Sequence, residues 1–154
     1  MNEQPKVVSA ELEITADAAT IFELIADPAL QPTWDDNDNL ASAAPGQRVH
    51  TVGDVFVMVN KPDRVRENHI VEFEEGRLIA WKPSLQGGEP FGQLWRWELT
   101  PLSSGVTLVR HSYDWSQLHD EARLERARAT TSEKLMGSVE RLGVAAETGS
   151  VSGQ

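Results

Sequence analysis

Hydrophobic and polar positions alternate over most of this chain, and a helical period appears only near its two ends. Val8, Ala10, Leu12 and Ile14 alternate with Ser9, Glu11 and Glu13, so residues 7–14 predict a strand with one wet face. Asp17 is placed to cap a short helix over 18–26 whose buried stripe is Ile21, Leu24 and Ile25. Asp27-Pro28 ends it, and residues 28–34 allow one further helical turn. An acidic loop follows over 35–39, then a short strand over 40–44 and a valine-rich strand over 49–60. Lys61-Pro62-Asp63 predicts a turn. Residues 64–73 alternate again, with Val65, Glu67, His69, Val71 and Phe73 on the apolar parity. Glu74-Glu75-Gly76 turns the chain into a strand over 77–83 that carries Ile79 and Trp81. Three of the eleven glycines make 84–92 a long loop. Residues 93–101 place Trp95, Trp97 and Leu99 on one side, and 106–115 place Val109, His111, Tyr113 and Trp115 on one side. Residues 116–129 read as a polar loop with a short helix over 120–128.

The final pattern is the longest helical one. Over 131–147, Leu135, Val139, Leu142 and Ala146 recur at helical spacing, with Glu133, Lys134, Glu140 and Arg141 opposite. Thr130 or Thr131 can cap it, and Glu133 stands three residues after Thr130, as in a capping box. At about 1.5 Å per residue it is roughly 25 Å long, enough to cross a small domain. The tails, 1–6 and 149–154, are polar.

Composition narrows the class. A chain of 154 residues is expected to form one domain over 1–154, with its core in about 7–147. The absence of cysteine removes disulfides and fits a cytoplasmic location. A net charge of -10 argues against nucleic acid, and no apolar run is long enough for membrane insertion. Four scattered histidines without cysteine predict no metal site, and no motif calls for a cofactor. Asp35, Asp36 and Asp38 lack the ligand spacing of a calcium loop.

The order of elements, with Ala26-Asp27-Pro28, Trp34-Asp35, Trp95-Arg96-Trp97-Glu98-Leu99-Thr100-Pro101 and Tyr113-Asp114-Trp115, resembles the SRPBCC superfamily. This is the START-like, birch-pollen-allergen-like helix-grip fold, and the chain looks most like its polyketide cyclase/dehydrase and lipid-transport family. The resemblance covers roughly residues 7–147. It implies an α+β helix-grip fold: a curved antiparallel sheet of six to seven strands around a long C-terminal helix, with two short helices after the first strand. It also implies a cavity between sheet and helix that takes an apolar small molecule, and leaves a homodimer open.

If the apolar side of each strand faces that helix, Phe73, Ile79, Trp81, Trp95 and Trp97 point inward. Small residues at the facing helix end (Ala127, Ala129, Thr130, Thr131, Gly137, Ser138) leave space beside large indoles. An empty apolar cavity of about 300 Å³ costs several kcal/mol at about 24 cal/mol per Å³, a cost usually retained for a ligand. The candidate ligand-binding residues are therefore Trp34, Phe73, Trp81, Trp95, Trp97, His111 and Tyr113. Trp34 has two readings, a gate at the mouth or a plug in the core. A strand pairing of 93–101 with 106–115 sets His111 opposite or diagonal to Trp95 or Trp97.

Three functions are compatible with this pattern. The first is a carrier or sensor of an apolar or aromatic, lipid- or polyketide-like molecule. The second is a cyclase or dehydratase using His111 and Tyr113, or His69 with Glu67, as general acid and base. The third is an interaction module. Charged residues Arg64, Arg66, Glu72, Arg96 and Glu98 on the outer parity speak against the third, and the lack of a catalytic constellation favours the first. His50 and His119 are expected at the surface.

Overall fold

The computed structural model describes residues 6–34, 40–60, 64–118 and 121–148. The expected terminal tails, the acidic loop with its three aspartates, the turn at 61–63 and His119 fall outside the described residues, save Lys6.

The first strand, β1 (Val7–Ile14), leads into α1 (Ala18–Ala26) and a 3₁₀ turn (Pro28–Thr33). Six more strands follow: β2 (Leu40–Ser42), β3 (Val55–Asn60), β4 (Arg64–Glu74), β5 (Leu78–Leu85), β6 (Leu94–Ser103) and β7 (Val106–Asp114). Two helices close the chain, α2 (Glu121–Arg128) and α3 (Ser132–Thr148). The strands form one curved antiparallel sheet in the order β1-β7-β6-β5-β4-β3-β2. Only β1 leaves sequence order, pairing with β7 from Val7 opposite Asp114 to Ile14 opposite Thr107. This is the α+β helix-grip arrangement.

The long helix meets the sheet through the stripe its spacing predicts. Leu135, Val139, Leu142 and Ala146 are all buried, the last three in one core with Ile14, Ile21, Phe22, Ile25 and Val109. Helix and strand approach closely at Gly143. A Cβ added there would stand 3.3 Å from Cγ1 of Ile14. Gly143→Leu is therefore expected to prise α3 from β1 and cost about 1–3 kcal/mol in a urea melt, because overpacked cores strain rather than yield.

Several local expectations need correction. The strand expected from residue 49 begins at Val55. Asp54 holds the preceding segment as a turn, its Oδ2 accepting from the amides of His50 (2.8 Å) and Thr51 (3.2 Å). Short polar side chains compete with ladder bonds in this way. Conversely, β5 continues through Ser84 and Leu85, which were expected in the loop. Asp17 flanks α1 but makes no side-chain capping bond. At α3 the cap is Thr131, whose Oγ1 accepts from the Lys134 amide at 3.3 Å. The Thr130 hydroxyl donates instead to the Arg126 carbonyl, so the capping box with Glu133 does not form.

The correction that matters most lies in β4. The register runs Asn68 opposite Pro83 and Ile70 opposite Trp81, then jumps to Glu72 opposite Ala80. Val71 is the extra residue of a bulge, and a bulge exchanges the faces of everything on one side of it. Phe73 keeps the concave face, but upstream it is Asn68 and Ile70 that are buried there. Glu67 and His69 consequently lie on the convex face, against expectation. Arg66, expected outside, comes to the concave side, its guanidinium 5.7 Å from the Phe91 ring.

The convex face is polar but not loose. Glu72 and Arg96 join in a two-pronged ion pair, 2.7 and 2.8 Å, between β4 and β6. Ala80 pairs with both residues from the strand between, and it is fully buried beneath them. The Arg96 guanidinium holds the Glu72 carboxyl below the usual range. Arg48 likewise ties Glu23 of α1 (2.9 Å) to Glu75 of the β4–β5 turn (2.7 Å).

Candidate functional site

The antiparallel ladder between β6 and β7 builds the candidate site directly. Residues opposite each other share a face and sit close enough to touch. Trp95 stands opposite Tyr113, and Trp97 opposite His111. Trp81 of β5 is opposite Trp95. In β6 and β7, two and three strands from the bulge, the sequence parity holds, and it aligns a row of rings across the concave face.

The row begins in the core. Trp34 presents an edge to Trp97, centroids 5.3 Å apart and planes at 86°. Its indole Nε1 donates to the Leu24 carbonyl at 2.8 Å, and its own carbonyl accepts from Nε of Arg141 at 3.1 Å. At 2% exposure Trp34 is a plug rather than a gate. Trp97 then stacks on His111 at 3.7 Å and 12°. His111 faces Trp95 at 5.7 Å and 18°, and Trp95 leans on Tyr113 at 4.2 Å. Two other aromatic contacts flank the row: Phe56 with Trp81 at 5.2 Å, and Phe22 with Phe73 at 5.6 Å. Trp34, Trp81, Trp97, His111 and Tyr113 are buried along this row, and Trp95 is the member that keeps intermediate exposure.

His111 has one hydrogen bond. Its Nδ1 lies 3.1 Å from the Arg96 carbonyl, which can only accept. The proton therefore sits on Nδ1, and Nε2 carries the lone pair. Burial among rings disfavours the charged form, and the carbonyl bond only partly offsets it, so the imidazole is pushed down to about 4. Its charge state at neutral pH is zero. Nε2 has no partner among the described residues. Among the described residues Gln93 Oε1 is the sole fully enclosed side-chain oxygen or nitrogen without one, so His111 Nε2 must lie on the small part of this residue that stays accessible.

Tyr113 repeats that logic. The residue is 4% exposed, and among the described residues its hydroxyl makes no hydrogen bond. Desolvation pushes the phenol up to about 12, with Arg126 of α2 pulling weakly the other way. The hydroxyl keeps its proton and can donate.

The rim around Tyr113 comes from a stretch whose sequence carries little signal. Trp115, Leu118, Ala127 and Leu135 pack with Tyr113 as a second apolar cluster, with Phe91 and Leu124 at its border. Arg123 lies flat on Phe91, 3.6 Å from the ring centroid. Gly92, at φ +121°, lets the 86–92 loop run against the segment before α2: a Cβ there would fall 2.2 Å from the Gln117 carbonyl oxygen. Phe91 escapes sequence reading because it is a lone apolar residue in a glycine-rich loop, without periodic neighbours.

The other candidates do not converge on this place. His69 Nε2 meets Ser84 Oγ at 2.9 Å, and Glu67 Oε1 accepts from the Gly87 amide at 3.1 Å, both on the convex face. No group of three or more His, Cys, Asp or Glu side chains is placed to hold a metal among the described residues. None of the described helices is long and apolar enough to cross a membrane.

A sheet gripping a C-terminal helix, with an aromatic row between them, defines a helix-grip domain. The chain belongs to the family described as polyketide cyclase / dehydrase and lipid transport, whose model matches residues 5–147. It is 27% identical over 115 residues to an uncharacterised protein of Mycobacterium tuberculosis, covering 72% of this chain and 48% of that protein. The chain thus spans about half the length of the curated relatives it matches. Among solved structures, a Mesorhizobium loti protein is similar with a TM-score of 0.67 at 18% identity, over 92% of this chain and 97% of that one. Norcoclaurine synthase from Thalictrum flavum, in complex with dopamine and hydroxybenzaldehyde, is similar with a TM-score of 0.62 at 15% identity, over 93% and 87%. These two likenesses establish the fold.

Proposed function

We propose that this chain binds an apolar, aromatic small molecule, lipid- or polyketide-like, on the concave face between the sheet, α2 and α3, without transforming it. The observation that carries this reading is the pair of polar atoms without protein partners, His111 Nε2 and the Tyr113 hydroxyl, set in an aromatic surface. Both atoms keep a small access to solvent, so a ligand that displaces their water must meet them itself or leave each unmet at a cost of about 1–3 kcal/mol. The aromatic complex of norcoclaurine synthase is compatible with this use of the fold.

The cyclase or dehydratase reading is the weaker one. A general base works best with a pKa near the operating pH. An imidazole pushed down to about 4 accepts a hydrogen bond readily and removes a proton poorly. Glu67 and His69 stand on the far face and cannot assist.

Titrating the indole fluorescence with naphthalene-ring compounds tests the binding reading. A saturable change with a dissociation constant on the order of micromolar is expected, with Trp95→Leu weakening it about tenfold. A linear, unsaturable response, or one indifferent to Trp95→Leu, contradicts the reading.

A further inference from the structure

We infer that His111 is the specificity-determining residue of this site: its bare Nε2 selects ligands that present a hydrogen-bond donor, a hydroxyl or ring N–H, two residues along β7 from the Tyr113 hydroxyl. The inference rests on the binding reading above and narrows it, since acyl chains and ether-capped aromatics offer no donor at that point.

Geometry fixes the polarity of the site. The Arg96 carbonyl takes the only proton of the neutral ring, so Nε2 cannot donate. Trp97 at 3.7 Å on one side and Trp95 at 5.7 Å on the other hold the ring in its plane. The acceptor therefore cannot swing away without losing the stack, nor exchange tautomer without losing the carbonyl bond. A ligand acceptor placed there meets a lone pair, and a ligand methyl group leaves Nε2 desolvated and unpaired. Discrimination built on an unmet buried polar atom is stronger than discrimination by fit alone.

Tyr113 supplies the opposite polarity. Its neutral hydroxyl donates to an oxygen of the ligand, and the residues stand i and i+2 on one strand, about 6.6 Å apart along β7. Trp95 lies between the two, packed against both rings. The ligand it fits is flat, lies along the part of Trp95 that stays accessible, and carries a donor toward His111 and an acceptor toward Tyr113.

The experiment compares naphthol with methoxynaphthalene by calorimetry. Wild-type protein is expected to bind naphthol about tenfold more tightly, and His111→Phe, which keeps the stack but not the acceptor, is expected to bring the two within about twofold. If His111→Phe does not fold, nitrogen-15 spectra of histidine-labelled wild-type protein decide. The unprotonated Nε2 resonance of His111 should move with naphthol and stay with methoxynaphthalene. Equal affinities in the wild type, a preference that survives His111→Phe, or a resonance indifferent to naphthol each overturn the inference while leaving binding intact. Binding of neither compound overturns the proposed function and this inference with it.

Discussion

Trp97→Ala is expected to destabilise the domain by about 3–5 kcal/mol, a large part of a typical total of about 5–15 kcal/mol. Trp97 is 1% exposed and has no slack around it. Trp34 contributes an edge at 5.3 Å, His111 a face at 3.7 Å, and Ile79 the neighbouring position on β5. Truncation removes the transfer free energy of the indole and leaves a cavity that these three cannot fill, since Trp34 is tethered by its bond to the Leu24 carbonyl. It also removes two ring contacts, each worth about 0.5–1.5 kcal/mol beyond area burial. Urea denaturation gives the value. A loss below about 1 kcal/mol contradicts the packing role assigned to Trp97.

The second large effect is pH-dependent. His111 has its folded-state pKa depressed to about 4, against 6.5 for the ordinary group. Below 6.5 the unfolded chain takes up the proton while the folded chain resists it. Stability contributed by the neutral ring is therefore complete above about 6.5, falls as pH drops through the interval, and is gone below about 4. At about 1.4 kcal/mol per pH unit the loss is about 3 kcal/mol. Other groups titrate nearby, so the quantity to read is the difference between wild type and His111→Phe, measured from pH 8 down to pH 4 or so. The wild type should lose about 3 kcal/mol more than the variant. Parallel curves contradict the burial of a neutral His111.

The residues explain which parts of this account are legible in the chain itself. Strict alternation over Trp95, Trp97 and Leu99 and over Val109, His111 and Tyr113 survives intact because β6 and β7 pair from Leu94 to Pro101 without interruption. One hairpin register is then enough to bring His111 against Trp97. The stripe of α3 is legible for the same reason: nothing breaks its period between Leu135 and Ala146. In β4 a single bulged residue, Val71, defeats the parity, because valine fits a strand equally well on either face. Glu67 and His69 look inward only if that bulge is ignored. The rim formed by Phe91, Gly92, Leu118 and Ala127 is illegible for another reason. Its contacts join a loop to a connector with no shared periodicity, and the Gly92 approach to Gln117 exists only in three dimensions. Trp34 lay between two readings because its sequence neighbours do not say whether its indole nitrogen finds a partner. The Leu24 carbonyl answers that.

The most direct measurement of the central claim is native mass spectrometry of freshly purified protein, wild type beside Trp95→Leu. A resolved small-molecule adduct in the wild type, lost on denaturation and diminished in the variant, is the predicted result. A clean apoprotein mass that stays unadducted when naphthol is added in excess, or an adduct equally abundant in Trp95→Leu, would contradict a ligand site on the aromatic row.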